Sequence, residues 1–117
     1  MAQIAQGNPD LIWAGHNDGE VHKTTNGTAA SPTWQLIDGV GGVLPDRWVS
    51  SIAIDAANHQ RVYLSFLGYT ANNVWRTTDG GASWQSISGS GAGALPSLPC
   101  TWIVQHPRVP SWLFVGT

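Results

Sequence analysis

The sequence predicts an all-β chain, a β-propeller segment of about two four-stranded antiparallel blades plus a partial third. Three observations carry this. Segments recur at offsets of 50 to 53 residues, the period of propeller blades rather than of the shorter helical repeats. The runs between breaks are short and rich in Val, Ile, Trp and Thr, which suits strands. No stretch shows a 3.6-residue period, and the 14 Gly and 7 Pro interrupt every window long enough for a helix.

The repeat is legible residue by residue. Val21-His22-Lys23-Thr24-Thr25-Asn26-Gly27 returns as Val74-Trp75-Arg76-Thr77-Thr78-Asp79-Gly80, and Thr33-Trp34-Gln35-Leu36-Ile37 as Ser83-Trp84-Gln85-Ser86-Ile87. Leu44-Pro45 returns as Leu95-Pro96. Leu11-Ile12-Trp13-Ala14-Gly15 matches Arg61 to Ser65 and again Leu113 to Thr117. These matches divide the chain into repeat 1 (about 1–47), repeat 2 (about 48–97) and a partial repeat 3 (about 98–117).

The expected strands follow in order. Met1 to Gln6 is the stub of a first strand, because Ile4 aligns with Ile54. Leu11 to His16, Val21 to Thr25 and Trp34 to Ile37 complete the first unit. Trp48 to Ile54, Val62 to Leu67, Asn73 to Thr77 and Trp84 to Ile87 form the second. Trp102 to Gln105 and Trp112 to Gly116 open the third. Strand alternation places Trp48, Ser50, Ile52 and Ile54 on one face and the small Ser51 and Ala53 on the other. Small residues there suit an innermost strand near a crowded axis.

One motif stands out. Thr77-Thr78-Asp79-Gly80-Gly81-Ala82-Ser83-Trp84 fits [ST]-x-D-x-G-x-[ST]-W at every fixed position. Asp79 is placed to accept backbone N–H groups and close a turn. Gly80 and Gly81 permit positive φ. Trp84 supplies an apolar plate; burying ~150–250 Å² of indole is worth about 4–6 kcal/mol before entropy. The earlier copy, Thr24-Thr25-Asn26-Gly27 running on to Trp34, replaces the acid with Asn26 and is longer by three residues. Asparagine also makes the turn bond and tolerates positive φ, so this hairpin is expected to survive with a longer tip.

These residues resemble the Asp-box, or BNR, repeat of sialidases, xyloglucanase-type glycoside hydrolases, sortilin-type receptors and a photosystem assembly factor. The turns at Ile54-Asp55-Ala56-Ala57-Asn58 and Gln105-His106-Pro107 look like that family's inter-strand turn. The resemblance implies a structural Asp-box at Thr77, Asp79, Gly81, Ser83 and Trp84, with Thr24, Asn26 and Trp34 as its second copy. In that family the Asp-box lies on the rim, away from the ligand face, so the resemblance implies fold rather than activity. It is closest to secreted bacterial BNR-repeat proteins of glycosidase-like type, which implies a secreted, extracellular parent. Family propellers usually carry six or seven blades, or two such rings. Two and a half repeats do not close such a ring, so further blades or copies of the chain itself, as a homo-oligomer, are the expected partners.

Composition narrows the function. Charged residues make up 10% of the chain, against roughly 25% in ordinary soluble domains. The net charge is −2, and Lys23, Arg47, Arg61, Arg76 and Arg108 are scattered, which argues against a nucleic-acid partner. No apolar run reaches the ~20 residues of a membrane helix, and Met1-Ala2-Gln3-Ile4 lacks a signal-peptide plan. Cys100, alone in its type, reads as a small hydrophobe at the start of a strand.

Glycoside hydrolysis needs two carboxylates about 5–9.5 Å apart. Asp79 and Asp55 read as turn residues, and Asp18 and Glu20 as a solvated hairpin. The sialidase arginine triad, nucleophilic tyrosine and Phe-Arg-Ile-Pro motif have no match here, and the acids of the xyloglucanase type match no position. No catalytic residue is therefore assigned. His16 and His22 face each other across a hairpin but lack the third and fourth ligands of a metal site, so no metal or other cofactor is expected. Asp46 and Arg47 precede an innermost strand, where ligand faces lie; they read as a loop ion pair or as ligand-binding residues. Trp34 and Trp84 are assigned to the motif core, and Trp13 and Trp75 to packing between blades. Trp48, Trp102 and Trp112 stay open between core and ligand platform. The candidate binding residues are thus Asp46, Arg47, Trp48 and Trp102, for a carbohydrate or protein ligand. The expected role is a non-catalytic structural or binding segment. The alternatives are a piece of a secreted glycoside hydrolase with its catalytic residues in other blades, and a self-assembling propeller fragment.

Overall fold

β1 (Ala2–Ala5), β2 (Asn8–Gly15), β3 (Val21–Thr24) and β4 (Gln35–Asp38) pair in chain order as one antiparallel sheet. β5 (Val49–Ile54), β6 (Val62–Phe66), β7 (Val74–Thr77) and β8 (Gln85–Ser86) repeat that plan in a second sheet. β9 (Trp102–Gln105) and β10 (Leu113–Gly116) form a two-stranded third. The computed structural model describes residues 1–117, and its only helical piece is a 3-10 turn at Gly91–Gly93. The all-β, blade-by-blade architecture is as expected.

The sheets are layered, with the second in the middle. β6 shows why: all five of its residues are buried, as a strand covered on both faces requires. Val62, Leu64 and Phe66 join Trp13, Val21, Leu44, Val49 and Ile52 in the core between the first and second sheets. Tyr63, on the opposite face, joins Val74, Cys100 and Ile103 between the second and third. Cys100 is a buried free thiol, and burial pushes its pKa up. β5 touches both β1 and β9, so the first strand of each sheet lies innermost and the later strands fan outward.

Strand limits differ from expectation in instructive ways. Trp34, Trp48, Trp84 and Trp112 each sit just before their strand rather than in it. β2 starts three residues earlier than expected, after a tight turn at Gln6 and Gly7, with Gly7 at φ +81. Pro9 is tolerated there because β3 pairs only from Ile12 onward.

Two register features correct the expected faces. The ladder between β5 and β6 slips between Val49 and Ser51, a bulge that puts two successive residues on one side. Val49 therefore joins Ile52 in the first core, while Ser50 turns away and bonds Ser65 Oγ at 2.8 Å and the Cys100 carbonyl. The second correction concerns β10. Phe114 pairs with Val104 as Tyr63 pairs with Ala53, so Phe114, not Val115, is the counterpart of Tyr63. Leu113 and Val115 accordingly pack inward and Phe114 faces out.

Trp34 departs from its assignment to a core. It is 48% exposed, because it lies on the outer face of the first sheet. Its counterpart Trp84 packs edge-on to Trp13 at 6.0 Å and 88° between two sheets. Trp13 is fully buried and Trp75 packs against the same core.

Candidate functional site

Antiparallel order sends alternate loops to opposite ends of the molecule. One end gathers Gln6 and Gly7, the turn from Asp55 to Arg61, and the hairpin from Thr78 to Trp84; there the Gly80 N–H bonds the Gln60 carbonyl at 3.0 Å. The other end gathers the His16–Gly19 turn, the link into β5 and the loop after β6. There Val49 N–H bonds the His16 carbonyl at 3.1 Å.

The motif hairpin is built from side chains. Asp79 Oδ1 accepts the Thr77 hydroxyl at 2.7 Å and the Ser83 N–H at 2.9 Å, and Oδ2 accepts the Ser83 hydroxyl at 2.5 Å. Thr77 Oγ1 accepts the Gly81 N–H at 2.9 Å. Gly80 and Gly81 take φ of +71 and +99. The first copy repeats the ring: Asn26 Oδ1 accepts the Thr24 hydroxyl at 2.7 Å and the Thr33 N–H at 2.9 Å. Lys23 ties the two blades by donating to the Gly80 carbonyl at 2.8 Å while lying 5.4 Å from the Trp13 ring centroid.

The bonds from the Ser83 hydroxyl and N–H, then from Thr77, lower the Asp79 pKa from 3.8 to about 2. A carboxyl whose folded pKa is depressed stabilises the fold above its unfolded pKa and loses that contribution as pH falls through the folded value. Stability to urea should therefore fall between about pH 4 and pH 2, and Asp79→Asn should flatten the fall in that window. Urea titrations of both proteins at stepped pH check this; parallel curves would assign the acid sensitivity elsewhere.

At the opposite end, Asp46 and Arg47 do not pair with each other. Asp46 accepts the Gly41 N–H at 3.0 Å. Arg47 holds the loop after β6: Nε donates to the Leu67 carbonyl at 3.1 Å, and Nη2 to Asn73 Oδ1 at 2.6 Å and the Ala71 carbonyl at 3.3 Å. Nothing in the spacing of Arg47 points to partners twenty or more residues on. Trp48 is exposed beside them.

A groove of about 650 Å³ runs along the innermost strands and opens toward the hairpin end. Of the four candidate binding residues, Trp102 lines it; Asp46, Arg47 and Trp48 do not. The Trp102 indole is 65% exposed. Gln3 and Gln6 line the same groove with exposed side chains. Sequence reasoning missed both glutamines, because only the packing of β1 and β9 on either side of β5 puts them on the same groove as Trp102.

Asp55 also borders the groove. Its Oδ1 accepts the Ala57 N–H at 2.8 Å, and its Oδ2 accepts Gln105 Nε2 at 3.1 Å and lies 3.4 Å from Arg61 Nη1. Burial pushes its pKa up, but the bonds from Gln105, Ala57 and Asn58 and the Arg61 charge outweigh that and leave it lowered. Asp55 is thus the knot joining the second and third sheets under the groove. His16 and His22 do meet edge-on, with ring centroids 5.0 Å apart, and no group of three metal-ligating side chains forms around them.

No family model and no curated protein matches the sequence. Among solved structures, the crystal structure of an ancestral GH74 enzyme matches with a TM-score of 0.74 and 17% identity, covering 99% of this chain and 16% of that one. The match is to a β-propeller family and at this identity shows a propeller-like fold. The chain spans only 16% of the length of that enzyme.

Proposed function

We propose that this chain is a non-catalytic segment of an Asp-box β-propeller that binds a carbohydrate along its innermost strands. The observation that carries the reading is the groove itself, where an exposed indole, Trp102, lies in the same groove as the Gln3 and Gln6 amides. An aromatic plate with a few polar groups around it is the usual make-up of a small-ligand site, and a sugar offers an apolar ring face to the one and hydroxyls to the other. The Asp79 and Asn26 rings support the Asp-box assignment, and the secreted bacterial setting is the one that resemblance implies.

The carboxylates support a non-catalytic role. Asp10, Asp18, Asp38, Asp46, Asp55 and Asp79 each accept a backbone N–H group. Of the seven acids only Glu20 is left without such a task, and hydrolysis of a glycosidic bond needs a pair. The second reading, a piece of a glycoside hydrolase, draws on the likeness to the GH74 enzyme; its catalytic pair would then lie in other blades.

Titrating the chain with a panel of soluble oligosaccharides, followed by tryptophan fluorescence, tests the proposal. Trp102→Ala is expected to weaken binding by about tenfold or more, a change of ~1.4 kcal/mol or above, whereas Trp48→Ala leaves it unchanged. Equal loss in both variants, or no binding by the parent chain, would remove the groove from consideration. Release of reducing ends from polysaccharide by this chain would overturn the non-catalytic assignment.

A further inference from the structure

The outer faces of the first and third sheets are counterparts of faces that already pack inside the molecule. Between the first two sheets, Trp13 reaches forward onto a surface made by Leu64, Phe66, Trp75 and Trp84. The repeat places Ala14, His16, His22 and Trp34 at those four positions on the first sheet. They line a second hollow, of about 340 Å³. Three large side chains are thus replaced by smaller ones, and the space they leave is open.

The forward face of the third sheet changes in the opposite sense. Where the second sheet presents Arg61, Tyr63 and the small Ala53, the third presents Trp112, Phe114 and Val104, all exposed. His106 packs edge-on to Trp112 at 5.5 Å and beside Phe114 at 6.2 Å, which holds the two rings in place. One end of the chain therefore carries a hollow and the other an ordered aromatic knob, at positions that meet in the internal interface.

We propose that a second copy of this chain docks head to tail, its Trp112 and Phe114 entering the hollow formed by Ala14, His16, His22 and Trp34. The contact continues the interface that joins the first and second sheets. It uses two different faces, so it is heterologous and propagates to a closed ring or an open fibre. Trp34 and Phe114 lie outside the ligand groove, so this inference stands or falls separately from carbohydrate binding.

Sedimentation of the 117-residue chain from micromolar to sub-millimolar concentration, together with Trp34→Glu and Phe114→Glu, provides the test. The parent chain is expected to form multimers. Each variant alone should be monomeric, because a charge blocks one of its two faces. An equimolar mixture of the two variants should give one-to-one dimers and nothing larger, because one intact face remains on each. Both side chains are exposed, so the fold is retained; Trp34→Ser and Phe114→Ser give a milder second pair. A monomeric parent, assembly by either glutamate variant alone, or a mixture that stays monomeric overturns the proposal.

Discussion

Trp13→Ala is expected to destabilise the chain by about 3–5 kcal/mol, the range for emptying a fully packed aromatic site. Trp13 has no exposed surface and belongs to the core that joins the first two sheets. Its removal also takes away the edge contact with Trp84 and the ring beneath Lys23. A domain of this size has about 5–15 kcal/mol in total, so the loss approaches the whole margin. With a urea dependence of ~1–3 kcal/mol per molar, the midpoint should fall by on the order of 2 M. Trp13→Phe is expected to cost much less, because the indole N–H has no hydrogen-bond partner. If the alanine variant unfolds within a few tenths molar of the parent, the first two sheets are not held by this core.

Gly81→Ala is expected to cost about 2–5 kcal/mol, combining overpacking with a left-handed backbone for a residue that has a Cβ. Gly81 holds φ +99, and an added Cβ would lie 2.7 Å from Ile37 Cγ2 and 2.9 Å from Trp13 Cη2. The hairpin of the second blade is thus pressed against the first blade, and its glycine serves the interface as well as the turn. The effect should not add to that of Trp13→Ala. In the double variant the methyl group gains room, so the combined loss should fall short of the sum by about 1 kcal/mol or more, as for residues in contact. A double-mutant cycle in urea decides the matter; strict additivity would confine the role of Gly81 to its own hairpin.

Much of the architecture was legible because it repeats. Offsets near fifty residues placed the blades, and the Asp79 hairpin followed from residue chemistry within eight positions. Its first copy survived the change to Asn26 for the reason expected, a side-chain oxygen in the same place. What escaped was set by pairing rather than pattern. The slip at Ser50 and Ser51 puts Val49 rather than Ser50 on the core side with Ile52 and Ile54, yet the local sequence reads as plain alternation. The one-residue shift of β10 hides in a run of apolar residues, Trp112 to Val115, that matches its earlier copies in either register. The Arg47 bonds are fixed by a loop far along the chain. The groove was illegible for the same reason: its walls come from three strands about fifty residues apart, and only their lateral arrangement, with β5 between β1 and β9, puts Gln3, Gln6 and Trp102 on one groove.

The two seams between sheets are unequal. The seam ahead of β5 holds eight buried apolar residues, among them Trp13 and Phe66, and is stitched by Lys23. The seam behind it holds four and is crossed at its inner edge by the bond from the Ser50 hydroxyl to the Cys100 carbonyl. Heat or denaturant should part the molecule first along the thinner seam, lifting the β9–β10 hairpin away while the first two sheets stay together. Cys100 lies on that line, so its sulfur would meet solvent before any tryptophan of the larger core does, and the chain carries its own reporter of the first step of opening.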